Sequence, residues 1–352
     1  MPVKLSPVDG ETLDTNAGFL AVAAVVYRDD AGWAPASEQV IAVLAEDVAA
    51  GRIQMSGFVA SVGDREVARA AAIVEPDAVS PDGRPEGWIG LFECVRGEYE
   101  AGAAVLGACA RWLRERGREA ISAPRVDALV SGLVTSGFDE PQVAFTPYNP
   151  DYYPDIFAAV GFTAVRRMHA YRFDAATAPR IRIPTGLGAR VRGVRLDDWD
   201  GELARLHAFQ EATFGGHAAR VDRGLGATGL LARRLVPFLD PDLCLFAEDR
   251  HGATVGFLLC LPDVWQSRPE GASPRRARLV SIGVAPTWRG KGAAIAMGAA
   301  LEKRLLDKGY ESLEASWIFS DNERPQTLVR ALGGSATRSA AIYELAESRL
   351  SG

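Results

Sequence analysis

The sequence predicts an α/β protein built from two tandem domains of one fold. Three observations carry that expectation: chain length, an internal repeat, and strand-like periodicity alternating with helix-like periodicity. At 352 residues the chain is long enough for two cores of ordinary size. Aligning Gly117 with Gly309 offsets two copies by 192 residues, and two helices then superpose, ending in WLRERG and RLLDKG. Downstream, Gly161 precedes Tyr171 by ten residues and Gly333 precedes Tyr343 by ten. Asn149 and Asn322 stand before those glycines at spacings that differ by one residue. The expected division is 1–176, a linker over 177–189 in an Ala/Pro/Gly-rich stretch, and 190–352.

In chain order, residues 3–8 read as a short strand and Phe19–Tyr27 as an apolar helix capped by Thr15 or Asn16. A turn-rich connection leads to a helix over Ser37–Ala50. Strands Met55–Val62 and Glu66–Val74 flank the hairpin dipeptide Gly63-Asp64. Glu75–Gly87, rich in Pro, Asp and Gly, is an expected loop before strand Trp88–Cys94 and a helix over Glu98–Arg116. The aromatics Phe145, Tyr148, Tyr152, Tyr153 and Phe157 read as core and rim packing, with a ligand pocket as the alternative. The second half opens with strand Arg190–Arg195 and helix Trp199–Phe214; a further helical segment ends before Pro237. Strands Leu243–Asp249 and Thr254–Cys260 are joined by a turn holding Gly252. The loop and strand start that follow carry Arg275, Arg276 and Arg278, a solvated run or a contact for an acidic substrate. Strand Leu279–Val284, a helix from Gly292 to Lys308, strand Ser312–Ile318, helix Asn322–Leu332 and strand Ala340–Leu345 complete the order.

The turn after Val284 is no ordinary strand–helix link. Arg289, Gly290, Lys291, Gly292, Ala293 and Ala294 spell RGKGAA. Small residues let a ligand approach the backbone, and the free N–H groups of the helix's first turn can point at a phosphate. Arg289 and Lys291 add positive charge there. The string fits neither G-x-x-x-x-G-K-[ST] nor G-x-G-x-x-G. A simple chain reversal, or a phosphate site for another nucleotide, are the alternatives.

The string VAPTWRGKGAA resembles motif A of the GCN5-related N-acetyltransferases, the GNAT superfamily, in which this turn holds the pyrophosphate of acetyl-coenzyme A. The stretches FLAVAAVVYRDDAGW, WIGLFECV, NPDYYPDIFAAVGF and FLDPDLCLFAED are similar to segments of bacterial acetyltransferase-like proteins without a firm substrate. The resemblance implies that each domain is a central mixed, mostly antiparallel sheet flanked by helices. It implies that strands Leu279–Val284 and Ser312–Ile318 splay apart, and that a pantetheine arm pairs with the backbone near Ile282, Gly283 and Val284. It implies a contact of the arm with Asn322, a position that suits a helix N-cap equally well. In the first copy Gly97, Glu100 and Gly102 face Arg289, Gly292 and Ala294. Glu98 and Glu100 there put negative charge where a pyrophosphate would sit, so that copy is expected to be degenerate.

Acetyl transfer to an amine needs a held thioester, a polarised carbonyl, removal of the ammonium proton and protonation of the leaving thiolate. Many relatives carry a tyrosine acid seven residues after the asparagine; here that position is Val329. The substitutes for the acid are Tyr343, Ser316 and solvent. Glu314 is the base candidate, sharing a strand face with Ser316. Their plainer roles are packing for Tyr343 and an exposed or paired strand residue for Glu314. His217 is a second base candidate or a surface-loop histidine. The expected function is acyl-CoA-dependent N-acetyl transfer from acetyl-CoA, with the active site in the second domain. A non-catalytic acyl-CoA-binding regulatory module is the alternative, and Val329 leans towards it.

A net charge of −6 argues against a general nucleic-acid binder. Cys94, Cys109, Cys244 and Cys260 show no C-x-x-C spacing and read as reduced core thiols, which suits the cytoplasm. No apolar run reaches membrane-spanning length. The expected partner is a small-molecule or peptide amine acceptor, with no nucleic acid, no membrane and no metal. A homodimer is left open.

Overall fold

The computed structural model describes residues 1–125, 131–182, 188–214, 235–266 and 272–346. His217 and most of the helical segment expected before Pro237 lie outside them. The elements of the first half are β1 (Val3–Asp9), α1 (Ala17–Val26), α2 (Val40–Ala49), β2 (Gln54–Val62), β3 (Arg65–Val74), β4 (Glu86–Cys94), α3 (Tyr99–Arg114), β5 (Ala120–Arg125), β6 (Leu133–Ser136), α4 (Tyr153–Val160) and β7 (Phe162–Asp174). Those of the second half are β8 (Ala189–Gly193), α5 (Trp199–Phe214), β9 (Cys244–Asp249), β10 (Thr254–Pro262), β11 (Arg276–Val284), α6 (Ala293–Asp307), β12 (Ser312–Phe319), α7 (Glu323–Ala331) and β13 (Ser335–Leu345).

Two compact units result, Met1–Met168 with Arg338–Gly352, and His169–Thr337. In the first, the strand order is β1-β2-β3-β4-β5-β13, with β6 also paired to β13. Among the described residues β4 and β5 form a parallel pair, while β1–β2, β2–β3, β3–β4, β5–β13 and β6–β13 are antiparallel. The alternation along β2 explains its two-sided core. Phe58 and Ala60 pack with Val105, Leu106 and Leu113 of α3, while Met55 and Val59 pack with Phe19 of α1 and Ile41 of α2. Asn16 caps α1, its side chain accepting the Phe19 N–H at 2.8 Å.

The second unit has the order β7-β12-β11-β10-β9-β8. β11 and β12 are parallel, and β8 to β11 are antiparallel neighbours. Leu245, Ala247, Leu258 and Cys260 face Met297, Leu301 and Leu305 of α6. Phe246 and Phe257 point the other way, to Leu206 and Phe209 of α5. α6 stops where its glycine signal stands: the Tyr310 N–H donates to the Leu305 carbonyl at 2.9 Å around Gly309. Both units are thus mixed, mostly antiparallel sheets flanked by helices.

The compact units do not follow the expected division into 1–176, linker 177–189 and 190–352. Tyr343 and Ala341 of β13 pair with Ala123 of β5 and Leu133 of β6, inside the first unit. Residues 169–174 of β7 belong to the second. Apolar alternation decides the matter, since Ala341, Tyr343 and Leu345 join the core built around α3. Residues 178–181 of the expected linker are held on α6: the Ile181 N–H donates to Glu302 Oε2 at 2.9 Å, and Arg180 pairs with Glu302 at 3.3 Å. Among the described residues no helix is long and apolar enough to cross a membrane.

Candidate active site

The site begins as a parting of two parallel strands. β11 and β12 pair only from Arg276 opposite Ser312 to Leu279 opposite Ala315. Beyond that point Val280–Val284 and Ser316–Phe319 are not paired with each other, so the β11 edge from Val280 to Val284 faces the gap without a strand beside it. On its other edge β11 stays paired with β10, with one irregularity. Leu259 faces Ser281 and Cys260 faces Leu279, which makes Val280 a bulge residue at the mouth of the parting. The opening is part of a cavity of about 420 Å³ walled by β11, β12, α6, α7 and the chain just after β7.

At the outer end stands the turn that the sequence singled out. A single helical turn, Pro286–Trp288, leads to Arg289 in an extended conformation and to Gly290 at φ 76°. Gly292 then caps α6 at φ 88°. Both torsions lie in the left-handed region. At Gly290 a Cβ would meet open space, so torsion rather than room calls for glycine. No side chain caps α6, and the Ala296 N–H is the first to bond back, to the Gly292 carbonyl at 2.9 Å. The N–H groups of Ala293, Ala294 and Ile295 therefore have no acceptor within the helix. Arg289, Gly290 and Lys291 are exposed beside them, with the Lys291 ammonium 5.7 Å from the Trp288 ring centre. Cationic, unpaired and open, this end of α6 suits a diphosphate, and the apolar slot behind it suits a pantetheine arm.

Of the residues expected to hold a coenzyme, Ile282, Ala294 and Asn322 line the cavity, and Gly283 and Val284 continue the unpaired edge of β11. Asn322 stands at the N-cap position of α7, yet its side chain makes no capping hydrogen bond. Glu314 and Ser316 are brought together. Both are buried, and Ser316 Oγ donates to Glu314 Oε1 at 2.8 Å. Ser316 Oγ also accepts from Arg278 Nε at 3.0 Å, and Arg278 Nη2 donates to the Ser316 carbonyl at 3.2 Å. Arg278 is thus no solvated loop residue. Its place follows from strand register, which sets it opposite Glu314, and that register was not legible in one sequence. Arg276 pairs with Asp263 at 2.6 Å and Arg275 pairs with Glu311, so the other two arginines are also engaged.

Glu314 and Ser316 belong to the second unit, and Tyr343 does not. It lies in the first unit, its ring 6.0 Å from that of Phe157, with its hydroxyl pKa raised by burial. The tyrosine at the matching place in the second unit is Tyr171, whose hydroxyl donates to Gln326 Oε1 at 3.2 Å and accepts from Arg330 Nη2 at 3.1 Å. It fixes α7. The equal glycine-to-tyrosine spacings in the two copies pointed to both tyrosines without saying which unit each would join.

The counterpart in the first unit is built differently. Gly97 at φ 92° and Glu98 precede α3, and Glu100 lies in its first turn. Two tyrosine hydroxyls engage the end of β4: that of Tyr152 donates to the Cys94 carbonyl at 2.6 Å, and that of Tyr153 accepts the Cys94 N–H at 2.8 Å. Tyr153 Oη also lies 2.6 Å from Glu93 Oε2. Burial pushes the Glu93 carboxyl up to about 7, against the pull of Arg69 and of its tyrosine hydrogen bonds. The aromatic group around Tyr153 is packing, with Phe92 ring centres at 4.9 Å from Tyr153 and 5.1 Å from Phe157. The four cysteines are buried and free, and burial raises the pKa of each.

The model of the Acetyltransferase (GNAT) family matches residues 213–333. That span holds the parting strands, the RGKGAA turn and Asn322. The chain carries a GNAT acetyltransferase domain. Across its length the chain is 21% identical to protein YghO of Escherichia coli, over 93% of this chain and 91% of that one. It is 28% identical to a mycothiol acetyltransferase of an Arthrobacter species, over 59% of this chain and 61% of that enzyme. In fold it resembles a tandem GNAT protein from the clavulanic acid biosynthesis pathway, with a TM-score of 0.63, 14% identity and coverage of 97% and 98% of the two chains. The likeness in fold to that tandem protein extends over nearly the whole of both chains.

Proposed function

We propose that the chain is an acyl-CoA-dependent N-acetyltransferase whose active site is the cavity of the second unit, with acetyl-CoA as the donor. The observation that carries this is the joining of two features in one place: an uncapped helix end carrying RGKGAA, and strand edges that part beside it. The diphosphate would lie on the N–H groups of Ala293 and Ala294, flanked by Arg289 and Lys291. The pantetheine arm would follow the edge of β11 at Ile282 to Val284, with Asn322 beside it. A backbone N–H at the Val280 bulge would polarise the thioester carbonyl. The acceptor amine, freed of its ammonium proton, attacks that carbon; the C–S bond breaks, an amide forms, and the thiolate takes a proton. Ser316 lines the cavity and hydrogen-bonds Glu314 behind it, so this pair would receive the amine proton. Solvent would protonate the thiolate, because Val329 stands at the acid position and Tyr343 lies in the other unit.

The first unit is the degenerate copy in this proposal, supported by Glu98 and Glu100 at α3 and by the tyrosines that occupy Cys94. The acceptor is a small-molecule or peptide amine, and the buried, unpaired thiols support a cytoplasmic setting. The test is release of free thiol from acetyl-CoA with a panel of amines, including amino sugars and peptide amino termini. Glu314→Gln should lower the rate of transfer while leaving the affinity for coenzyme A unchanged. Tight binding of coenzyme A without transfer to any amine would favour a regulatory acyl-CoA-binding module, and absence of binding would refute both.

A further inference from the structure

The cavity does not end where β11 and β12 meet. It continues past the last paired residues, Leu279 and Ala315, to Leu313 and Ser312, which stand opposite Ala277 and Arg276. Three strand residues span roughly 10 Å, so the inner end adds about that depth. Its walls are mostly apolar, made by Leu305 and Leu306 of α6, Tyr310, Leu313 and Phe173, with Ser312 and Asp174 also lining the cavity. The segment Ala175–Ile181 closes it and is tied at both ends. The Ala175 N–H donates to the Glu311 carbonyl at 2.8 Å, and Ile181 and Arg180 hold Glu302. Between those ties Pro179 presses on the backbone at Gly333, where a Cβ would come within 2.5 Å of its Cδ. A pantetheine arm on the free edge of β11, with its thioester at the Val280 bulge, uses only the outer part of this space. An acetyl methyl would leave the apolar inner end unfilled.

We infer that the donor site takes an acyl group longer than acetyl, an unbranched chain of about six to eight carbons whose length suits the roughly 10 Å inner end. Leu306 and Leu313 set its length. The inference rests on the coenzyme A site proposed above and departs from it in one respect: the preferred donor carries a longer acyl group, and acetyl-CoA becomes the weaker one.

Calorimetric dissociation constants for acetyl-, butyryl-, hexanoyl- and octanoyl-CoA on the full chain test it. Each buried methylene should tighten binding roughly fourfold, so hexanoyl-CoA is expected to bind about tenfold or more tighter than acetyl-CoA, after losses to chain ordering. Leu306→Trp fills the inner end and should bring the hexanoyl-to-acetyl ratio to within about threefold of one. Leu313→Trp serves the same purpose if the first variant does not fold. If acetyl-CoA binds and hexanoyl-CoA binds no tighter, this inference falls while the coenzyme A site stands. A hexanoyl preference that survives in a folded variant puts the chain elsewhere and also overturns it. If no thioester binds, the coenzyme A site falls and takes the longer donor with it.

Discussion

Replacing Ala294 with glutamate separates ligand binding from folding at the RGKGAA turn. Ala294 lies in the first turn of α6 and lines the cavity. Glutamate is nearly as good a helix former as alanine, and a carboxylate beside the unpaired N–H groups is stabilised by about 0.3–1 kcal/mol. The free protein should therefore melt within a few degrees of the wild type. For a diphosphate the sign reverses. Two like charges about 4 Å apart repel by roughly 4 kcal/mol at an effective dielectric constant near 20. Arg289, Gly290 and Lys291 are exposed, so solvent and salt reduce this to about 2 kcal/mol, roughly a thirtyfold loss of affinity. Calorimetry with coenzyme A at low and high salt measures the loss, and melting curves of the free protein check the fold. A wild-type dissociation constant in the folded variant would mean that the diphosphate does not sit at this helix end. Gly292→Glu, which imports Glu100 of the first copy, is a poorer probe. At φ 88° a side chain adds about 1 kcal/mol or more of backbone strain, so fold and binding would both suffer.

Calorimetry should also give close to one coenzyme A per chain, because Glu98 and Glu100 stand at α3 in the first unit; two sites would show that those carboxylates do not exclude the ligand. Glu93 titrates near 7 in the folded chain, above its unfolded value of about 4.3, so the folded state holds the extra proton between those values. Its contribution makes stability fall as pH rises across that window and level off above it. Glu93→Gln should remove up to about 4 kcal/mol of that fall, and equal slopes for the two proteins in denaturant titrations at several pH values would contradict the assignment. A fragment of residues 190–352 lacks Phe173 and the Ala175–Ile181 wall, and should neither fold fully nor bind coenzyme A; wild-type affinity in that fragment would show the wall to be dispensable.

What the sequence made legible was local. The glycines at 290 and 292 announced left-handed torsions, Gly309 announced a helix end, and alternation announced which strand faces would be buried. The parting of β11 and β12 came from family resemblance, and the pairing between Leu279 and Ala315 marks where it starts. Non-local relations stayed hidden. The opposition of Arg278 and Glu314 depends on a parallel register joined through α6, and no spacing in the chain specifies it. The tyrosines on Cys94 were likewise visible only as an aromatic cluster. A hydroxyl that satisfies a strand edge looks, in sequence, like any core tyrosine.

The two closing strands show why repeat arithmetic identifies elements but not their destinations. β7 and β13 follow the same glycine signal at the same distance from a tyrosine, so each carries a pattern that a sheet edge of either unit could accept. Burial decides between them. Tyr343 packs on Phe157 in the first unit, while Tyr171 bonds Gln326 and Arg330 in the second. The consequence reaches the chemistry. Offering Tyr343 beside Ser316 and solvent as a substitute acid assumed that the last strand of the chain closes the sheet that carries RGKGAA. The strand that does so brings Tyr171 instead, and both its hydroxyl contacts tie it to α7 rather than to the cavity. In the proposed reaction the leaving thiolate therefore draws its proton from water. Its pKa is low enough for solvent to serve, as the free-thiol value near 8.5 implies.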